Sequence, residues 1–211
     1  MENDTPNKIK ISKEIIATLP IETFPGKIVV IDNERDADNA VLQLNNERII
    51  GFDTETRPTF KKGKSNHVAL IQLSTHDTCY LFRINRIGFT PAIKNLLENE
   101  SLLKVGISLK DDFCMLSRLN GGQFIPKNFI ELQKFVKKYN IEDQSLQKIY
   151  GIVIGKKISK GQRLSNWEAD HLTENQQLYA ATDAWSCIKI YEVLKSEKFK
   201  SPIYKIQPSS L

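Results

Sequence analysis

The residues of this chain best equipped for chemistry are carboxylates. Asp53 and Glu55 close the run Arg48-Ile49-Ile50-Gly51-Phe52-Asp53-Thr54-Glu55-Thr56. Its β-branched, apolar start reads as a buried strand. Residues two apart on a strand project from one face, so both acids point the same way at the strand's end. Like charges in close contact there repel by on the order of 4 kcal/mol. A lone Asp-x-Glu is more often a pair of solvated surface acids, but further acids occur at matching places. Asp111 and Asp112 open a helix after Leu102-Leu103-Lys104-Val105-Gly106, where first-turn acids also suit the helix dipole. Asp183 sits in Leu178-Tyr179-Ala180-Ala181-Thr182-Asp183-Ala184-Trp185. Among such small apolar neighbours a carboxylate needs a partner or a cation. Tyr179 lies one helical turn earlier and shares its face.

Asp53, Glu55, one of Asp111 or Asp112, and Asp183 thus come from three separate elements. Gathered at one end of a sheet, they require positive charge. Carboxylate-lined sites select hard cations such as Mg²⁺ or Mn²⁺. Two such ions about 4 Å apart form a clamp for in-line attack on a phosphodiester.

The elements that position these acids can be read in chain order. Residues 1–26 form a polar N-terminal arm with an amphipathic piece, Lys13 to Leu19, stopped by Pro20. A strand at Lys27-Ile28-Val29-Val30-Ile31 leads to a helix from Glu34 to Asn45, capped by Asp32 or Asn33. After the Asp53 strand come strands at residues 68–74 and 78–82, with a hairpin turn at Thr75-His76-Asp77. The first part of the chain therefore reads as an antiparallel meander. Helices then alternate with strands: 90–98 helical, 102–106 extended, 109–119 helical, 129–130 extended, and 132–139 and 145–150 helical. Thr173-Glu174-Asn175-Gln176 is a capping box opening a long helix to about Lys195. This order predicts a mixed sheet flanked by helices, with one domain over 27–195 and a C-terminal tail over 196–211.

The totals agree. A chain of 211 residues with 40% apolar content can bury one sizeable core. No apolar run approaches the roughly 20 residues of a membrane span, and the polar start lacks a signal-peptide hydrophobic stretch. The default location is intracellular and cytoplasmic, with association with the nucleoid or nucleus as the alternative; no membrane partner is expected. Cys79, Cys114 and Cys187 are far apart and read as buried free thiols. The net charge of +5 favours a polyanionic partner, the more so if the acids are concentrated in one place.

Three motifs in order carry a family resemblance: Phe52-Asp53-Thr54-Glu55-Thr56 followed by His67-Val68-Ala69-Leu70-Ile71-Gln72-Leu73-Ser74; Lys104-Val105-Gly106-Ile107-Ser108-Leu109-Lys110-Asp111-Asp112; and Leu172-Thr173-Glu174-Asn175-Gln176-Gln177-Leu178-Tyr179-Ala180-Ala181-Thr182-Asp183-Ala184. Ser165-Asn166-Trp167 and Asn128-Phe129-Ile130-Glu131-Leu132 fit the same layout. Over about residues 27 to 195 the sequence resembles the tyrosine branch of the DEDD superfamily of 3′–5′ exonucleases. It looks most like the exonuclease domain of the Werner-syndrome helicase, and RNase D is a more distant match. The resemblance implies a ribonuclease-H-like α/β fold and a two-metal hydrolase that releases 5′-mononucleotides from a 3′ end, with Mg²⁺ or Mn²⁺ as the ions. It implies that Asp53, Glu55 and Asp183 hold the tighter ion, that Asp53 bridges to the second, and that Asp112 rather than Asp111 places that one. Tyr179 then orients the attacking water; its ordinary pKa is far above neutral, which argues against a role as main proton acceptor.

The sequence departs from the Werner pattern at two places: Thr56-Arg57-Pro58 follows the first motif where Trp-Pro-Pro is expected, and Phe113-Cys114 follows Asp112 where a Trp is expected. Both bear on how terminal nucleotides are held. The residues expected to grip nucleic acid are Thr56, Arg57, Phe60, Lys61, Lys62 and Lys64 on one side and Lys156, Lys157, Lys160 and Arg163 on the other. Phe60 could stack on a terminal base. Trp167 and Trp185 read as core, and His67 and His171 as structural. DNA with a free 3′ end is the favoured partner, with a helicase on another chain by analogy. The competing readings are an RNase D-type exoribonuclease and a catalytically silent nucleic-acid-binding module.

Overall fold

In a computed structural model, residues 8–57, 67–196 and 199 are described. The expectations on Phe60, Lys61, Lys62 and Lys64, and on nearly all of the C-terminal tail, fall outside them.

In chain order the elements are α1 (Lys13–Thr18), β1 (Lys27–Ile31), α2 (Glu34–Leu44), β2 (Ile49–Thr56), β3 (Val68–Ser74), β4 (Thr78–Phe82), α3 (Ile84–Ile87), α4 (Pro91–Glu98), β5 (Leu103–Gly106), α5 (Leu109–Leu119), β6 (Phe129–Glu131), α6 (Leu132–Phe135), α7 (Leu146–Ile154) and α8 (Glu174–Lys195). A 3₁₀ turn, Val136–Tyr139, finishes what the sequence suggests is one continuous helix after β6. The six strands form one sheet in the order β1-β4-β3-β2-β5-β6. β2, β3 and β4 are the antiparallel meander, and β5 and β6 continue in parallel from β2. β1 does not join the meander as the chain order suggested. It adds to the far edge, parallel to β4, because α2 intervenes and a crossover leads to parallel pairing.

Apolar residues fill both faces of the sheet. One core joins the arm, α7 and α8 to residues such as Leu70 and Val105. The other joins α2, α4 and α5 to Ile50, Phe52 and Leu73. Strand β3, central and buried throughout, is covered on both sides.

Several local readings are sharpened. Asn33 rather than Asp32 caps α2, accepting from the Asp36 amide. Ser145 is the N-cap residue of α7 but makes no side-chain capping bond. Helix α7 runs four residues further than expected, through Gly151 to Gly155, which takes the left-handed conformation. Glycine weakens a helix by its backbone freedom, yet α7 continues through Gly151. Here a Cβ at 151 would touch Leu19 and Ile11 at 3.2 and 3.3 Å, so the bare backbone lets the arm lie close. Cys79 and Cys187 are buried, but Cys114 is exposed, because it falls on the outer side of α5. Trp167 and Trp185 are core residues, as expected. No helix among the described residues is long and apolar enough to cross a membrane.

Candidate active site

The site is built where β2 ends against α8. Strand alternation turns Gly51, Asp53 and Glu55 toward α8, while Phe52 enters the opposite core. Gly51 makes the meeting possible. A Cβ there would sit 1.9 Å from the carbonyl oxygen of Ala184, so only glycine lets α8 come this close. Ala180, Ala181 and Ala184 keep the helix side of the contact small. The result is that one carboxylate oxygen each from Asp53, Glu55 and Asp183 lies within 4.8 Å of the other two. Glu55 and Asp183 are each only 9% exposed, and Asp53 is half-buried.

Asp112 reaches the site from α5. It is half-buried, while Asp111 is exposed. The hydroxyl of Thr54 donates to its carboxylate. Thr54 projects from the face of β2 opposite to its neighbours Asp53 and Glu55, and so meets α5 instead of α8. The start of α5 is fixed by a residue the sequence marked only as part of a layout. Glu131, at the end of β6, accepts from the amides of Ser108 and Leu109 at 3.0 and 2.8 Å. Ser108 is left-handed at φ 60° and makes no cap of its own. The carboxylate of Glu131 replaces that cap and suits the positive end of the helix. The sequence signals for these two supporting residues are faint: alternation along β2 for Thr54, and an acid ending a parallel strand for Glu131.

The electrostatics are those of a cluster short of positive charge. Burial, then Asp183, Glu55 and Asp112, push the Asp53 carboxyl well above its ordinary range. Glu55 is raised to about 9 by burial, Asp183 and Asp112, with Arg163 opposing. Asp183 is raised to about 7 by burial, against the Tyr179 hydroxyl and Lys160. Asp112 rises to about 6 by burial, held back by the Thr54 hydrogen bond. Burial and then the acids push the Tyr179 phenol further up, so it keeps its proton. Tyr179 packs on Trp167 with ring centroids 6.0 Å apart. Among the described residues, four carboxyl groups are raised and none has an ion-pair partner, which fits a hard, oxygen-seeking divalent ion.

Of the expected nucleic-acid contacts, Lys160 and Arg163 are exposed near the acids, on the irregular segment 156–173. Arg57 is bonded to Glu168 at 3.0 Å, and Thr56 is half-buried at the end of β2. Lys156 and Lys157 are taken up elsewhere: Lys156 pairs with Glu22 at 2.7 Å, and Lys157 donates to the carbonyl of Ala17. His67 and His171 are exposed.

Residues 28–198 match the model of the 3′–5′ exonuclease family. The chain is 36% identical over 203 residues to the mouse bifunctional 3′–5′ exonuclease/ATP-dependent helicase WRN, covering 90% of this chain and 14% of that protein. It is 27% identical over 189 residues to the exonuclease mut-7 homolog of Aedes aegypti, covering 78% of this chain and 26% of that one. It therefore spans only a minor part of either relative's length. Among solved structures, the Aedes aegypti Nibbler EXO domain superposes with a TM-score of 0.75 at 23% identity, over 83% of this chain and 92% of that one. RNase D from Trypanosoma brucei, in complex with RNA U12, gives a TM-score of 0.71 at 20% identity, over 81% and 63%. The fold is therefore the ribonuclease-H-like one these structures share, and the chain belongs to the 3′–5′ exonuclease family.

Proposed function

We propose that this chain hydrolyses the terminal phosphodiester of a DNA 3′ end and releases 5′-mononucleotides, with Asp53, Glu55, Asp112, Tyr179 and Asp183 as its working residues. The observation that carries this reading is the buried triplet of Asp53, Glu55 and Asp183 within 4.8 Å, whose carboxyls are all pushed toward protonation. Asp53, Glu55 and Asp183 would hold one Mg²⁺ or Mn²⁺, and Asp53 and Asp112 a second. Ions bound there would activate the attacking water and stabilise the leaving 3′ oxygen. The chain's own groups do the rest. Tyr179 retains its proton, so its hydroxyl orients the water and leaves proton acceptance to other groups. Thr54 and the Glu131-capped start of α5 keep the Asp112 side chain turned to the site. Lys160 and Arg163, exposed and without an ion-pair partner among the described residues, would take phosphates upstream of the cleaved bond, giving affinity without reading sequence.

DNA is favoured because the relative with 36% identity joins its exonuclease to an ATP-dependent helicase; a helicase acting at the same end is the partner this suggests, in an intracellular setting. RNA is the second reading, because the same fold in Trypanosoma brucei RNase D was solved with RNA U12. Matched DNA and RNA oligonucleotides labelled at the 5′ end test both. A ladder shortening from the 3′ end is expected with Mn²⁺ or Mg²⁺, abolished by EDTA and reduced at least about 1,000-fold in Asp53→Ala. No ladder on either polymer, or full activity in Asp53→Ala, overturns the reading.

A further inference from the structure

The family match begins at residue 28, yet residues 20–24 of the arm are built into the surroundings of the acids. The carboxylate of Glu22 collects donors from three places. It accepts from the Tyr150 hydroxyl of α7, from Lys156 at 2.7 Å at the root of the basic segment, and from Lys189 of α8 at 2.7 Å. On either side the backbone joins in. The Glu22 amide donates to the Lys157 carbonyl at 2.8 Å, and the Lys157 amide to the Pro20 carbonyl at 2.9 Å. Two residues on, the Phe24 amide donates to the Thr182 hydroxyl at 3.0 Å, beside Asp183.

The consequence lies three to seven residues further along the segment. Its far end is held by Arg83, which donates to the carbonyls of Ala169 and Asp170, and by Gln176, which donates to Asn166. Between these anchors, residues 159–165 lack regular structure, and both Lys160 and Arg163 are exposed there. Their distance from the acids is therefore set by where the segment is pinned; at the near end Glu22 is one pin, beside Gln147, which donates to the carbonyl of the buried Ile158. A cavity of about 320 Å³ lies between the arm and this stretch, with Thr23 on one wall, Ser159 and Gln162 on another, and Asn175 and Tyr179 on the third.

We propose that Glu22 is a positioning residue for the exonuclease reaction: it fixes the root of the 156–163 segment against α7 and α8, so that Lys160 and Arg163 stand over the acids and grip the substrate's phosphates. This rests on the exonuclease reading above. The residue touches no substrate. Its effect passes through Lys156 and the strand-like pairing at Lys157 to the two exposed cations beyond them.

The test compares the parent with Glu22→Gln and with Tyr150→Phe, which removes one of the three donors and leaves both ion pairs. Initial rates are measured on a 5′-labelled oligonucleotide in Mn²⁺ at several salt concentrations, beside melting temperatures. For Glu22→Gln, KM is expected to rise about 5- to 10-fold, roughly the worth of one charge-assisted phosphate contact, with kcat within about twofold. The slope of log(kcat/KM) against log[salt] should become shallower by about 0.7, the single-strand value for one phosphate contact. Tyr150→Phe should move both in the same direction, by less. Salt slope and KM separate this role from a merely structural one, which lowers the melting temperature alone. An active parent with both variants at parental KM and slope, whatever their melting temperatures, overturns the proposal and leaves the exonuclease reading standing. A parent that digests nothing overturns both.

Discussion

Helix α8 carries two acidic sites of opposite character about 9 Å apart along its axis. At one, Lys189 helps surround Glu22. Burial alone would raise that carboxyl, but the hydrogen bonds from Lys156, Lys189 and Tyr150 pull it down to about 2. At the other, Asp183 meets Asp53 and Glu55, where burial and mutual repulsion prevail and the carboxyls rise, to about 7 for Asp183 and about 9 for Glu55. Both sites lie against the same helix and burial raises the carboxyls at each, more strongly at the more deeply buried triplet, yet the net shifts have opposite sign. Besides depth, the difference is that Lys156 and Lys189 pair with Glu22. Glu22 is completed by the protein's own lysines and serves the fold. Among the described residues the triplet has no such partner, and an incomplete buried charge cluster is what a protein keeps for a ligand.

The contrast breaks most sharply at Gly51. Gly51→Ala places a methyl group against the Ala184 backbone, which has no flexible end to move aside. Helix α8 must retreat from β2 at the triplet, while the Glu22 contacts, further along, keep their donors. Overpacking of this kind costs about 1–3 kcal/mol. A displacement of about 1 Å at reacting groups costs on the order of 100-fold in rate. Glu22 should stay ionised to the same low pH. Activity within tenfold of the parent would show that α8 can shift without disturbing Asp183.

How much of this the sequence revealed depends on how local the signal is. Strand alternation put Asp53 and Glu55 on one face, and the capping box at Thr173 and Gln176 placed the start of α8 correctly. Those cues lie within a few residues of the groups they predict. Glu22 was invisible for the opposite reason. Its partners lie 128, 134 and 167 residues away in the chain, and no local pattern announces them. The lysines show the same limit: Lys156 and Lys157 look in sequence just like Lys160, yet among the described contacts only the first two are tied to the arm. Thr54 carries a weak signal, because it points away from the acids on either side of it and its partner Asp112 lies 58 residues away. The edge placement of β1 depended on a crossover whose destination the chain order alone does not fix.

A divalent cation should distinguish the two sites next. It completes the triplet and offers nothing to Glu22. At a concentration about 100 times its Kd, Mg²⁺ or Mn²⁺ adds about 2.7 kcal/mol of stability, and for a domain of this size that is roughly 5–10 °C in melting temperature. Asp183→Asn should lose most of that gain. Glu22→Gln should keep it, although it starts from a lower melting temperature. Equal gains in all three proteins would mean that the ions bind outside the triplet.

The smallest effect is the pH dependence of the metal-free protein, and its sign separates the two sites. Glu22 has a folded pKa of about 2, below its ordinary value. Its stabilising contribution is complete above the unfolded value of about 4.3 and is lost as the pH falls toward 2. The triplet acts in the reverse sense. Its folded pKa values lie above the unfolded ones, so the folded state takes up protons, and stability is lost as the pH rises from about 4 through 7 and on toward 9. In EDTA the melting temperature should therefore peak on the mildly acidic side and decline on both flanks for unrelated reasons. Glu22→Gln should flatten the acid flank only. Asp183→Asn, which removes one of three repelling carboxyls, should flatten the alkaline flank only, and saturating Mn²⁺ should do the same for the parent by supplying the missing charge. An alkaline flank that persists unchanged in Asp183→Asn would mean that repulsion among these acids is not what weakens the metal-free fold, and the contrast between the two ends of α8 would lose its electrostatic basis.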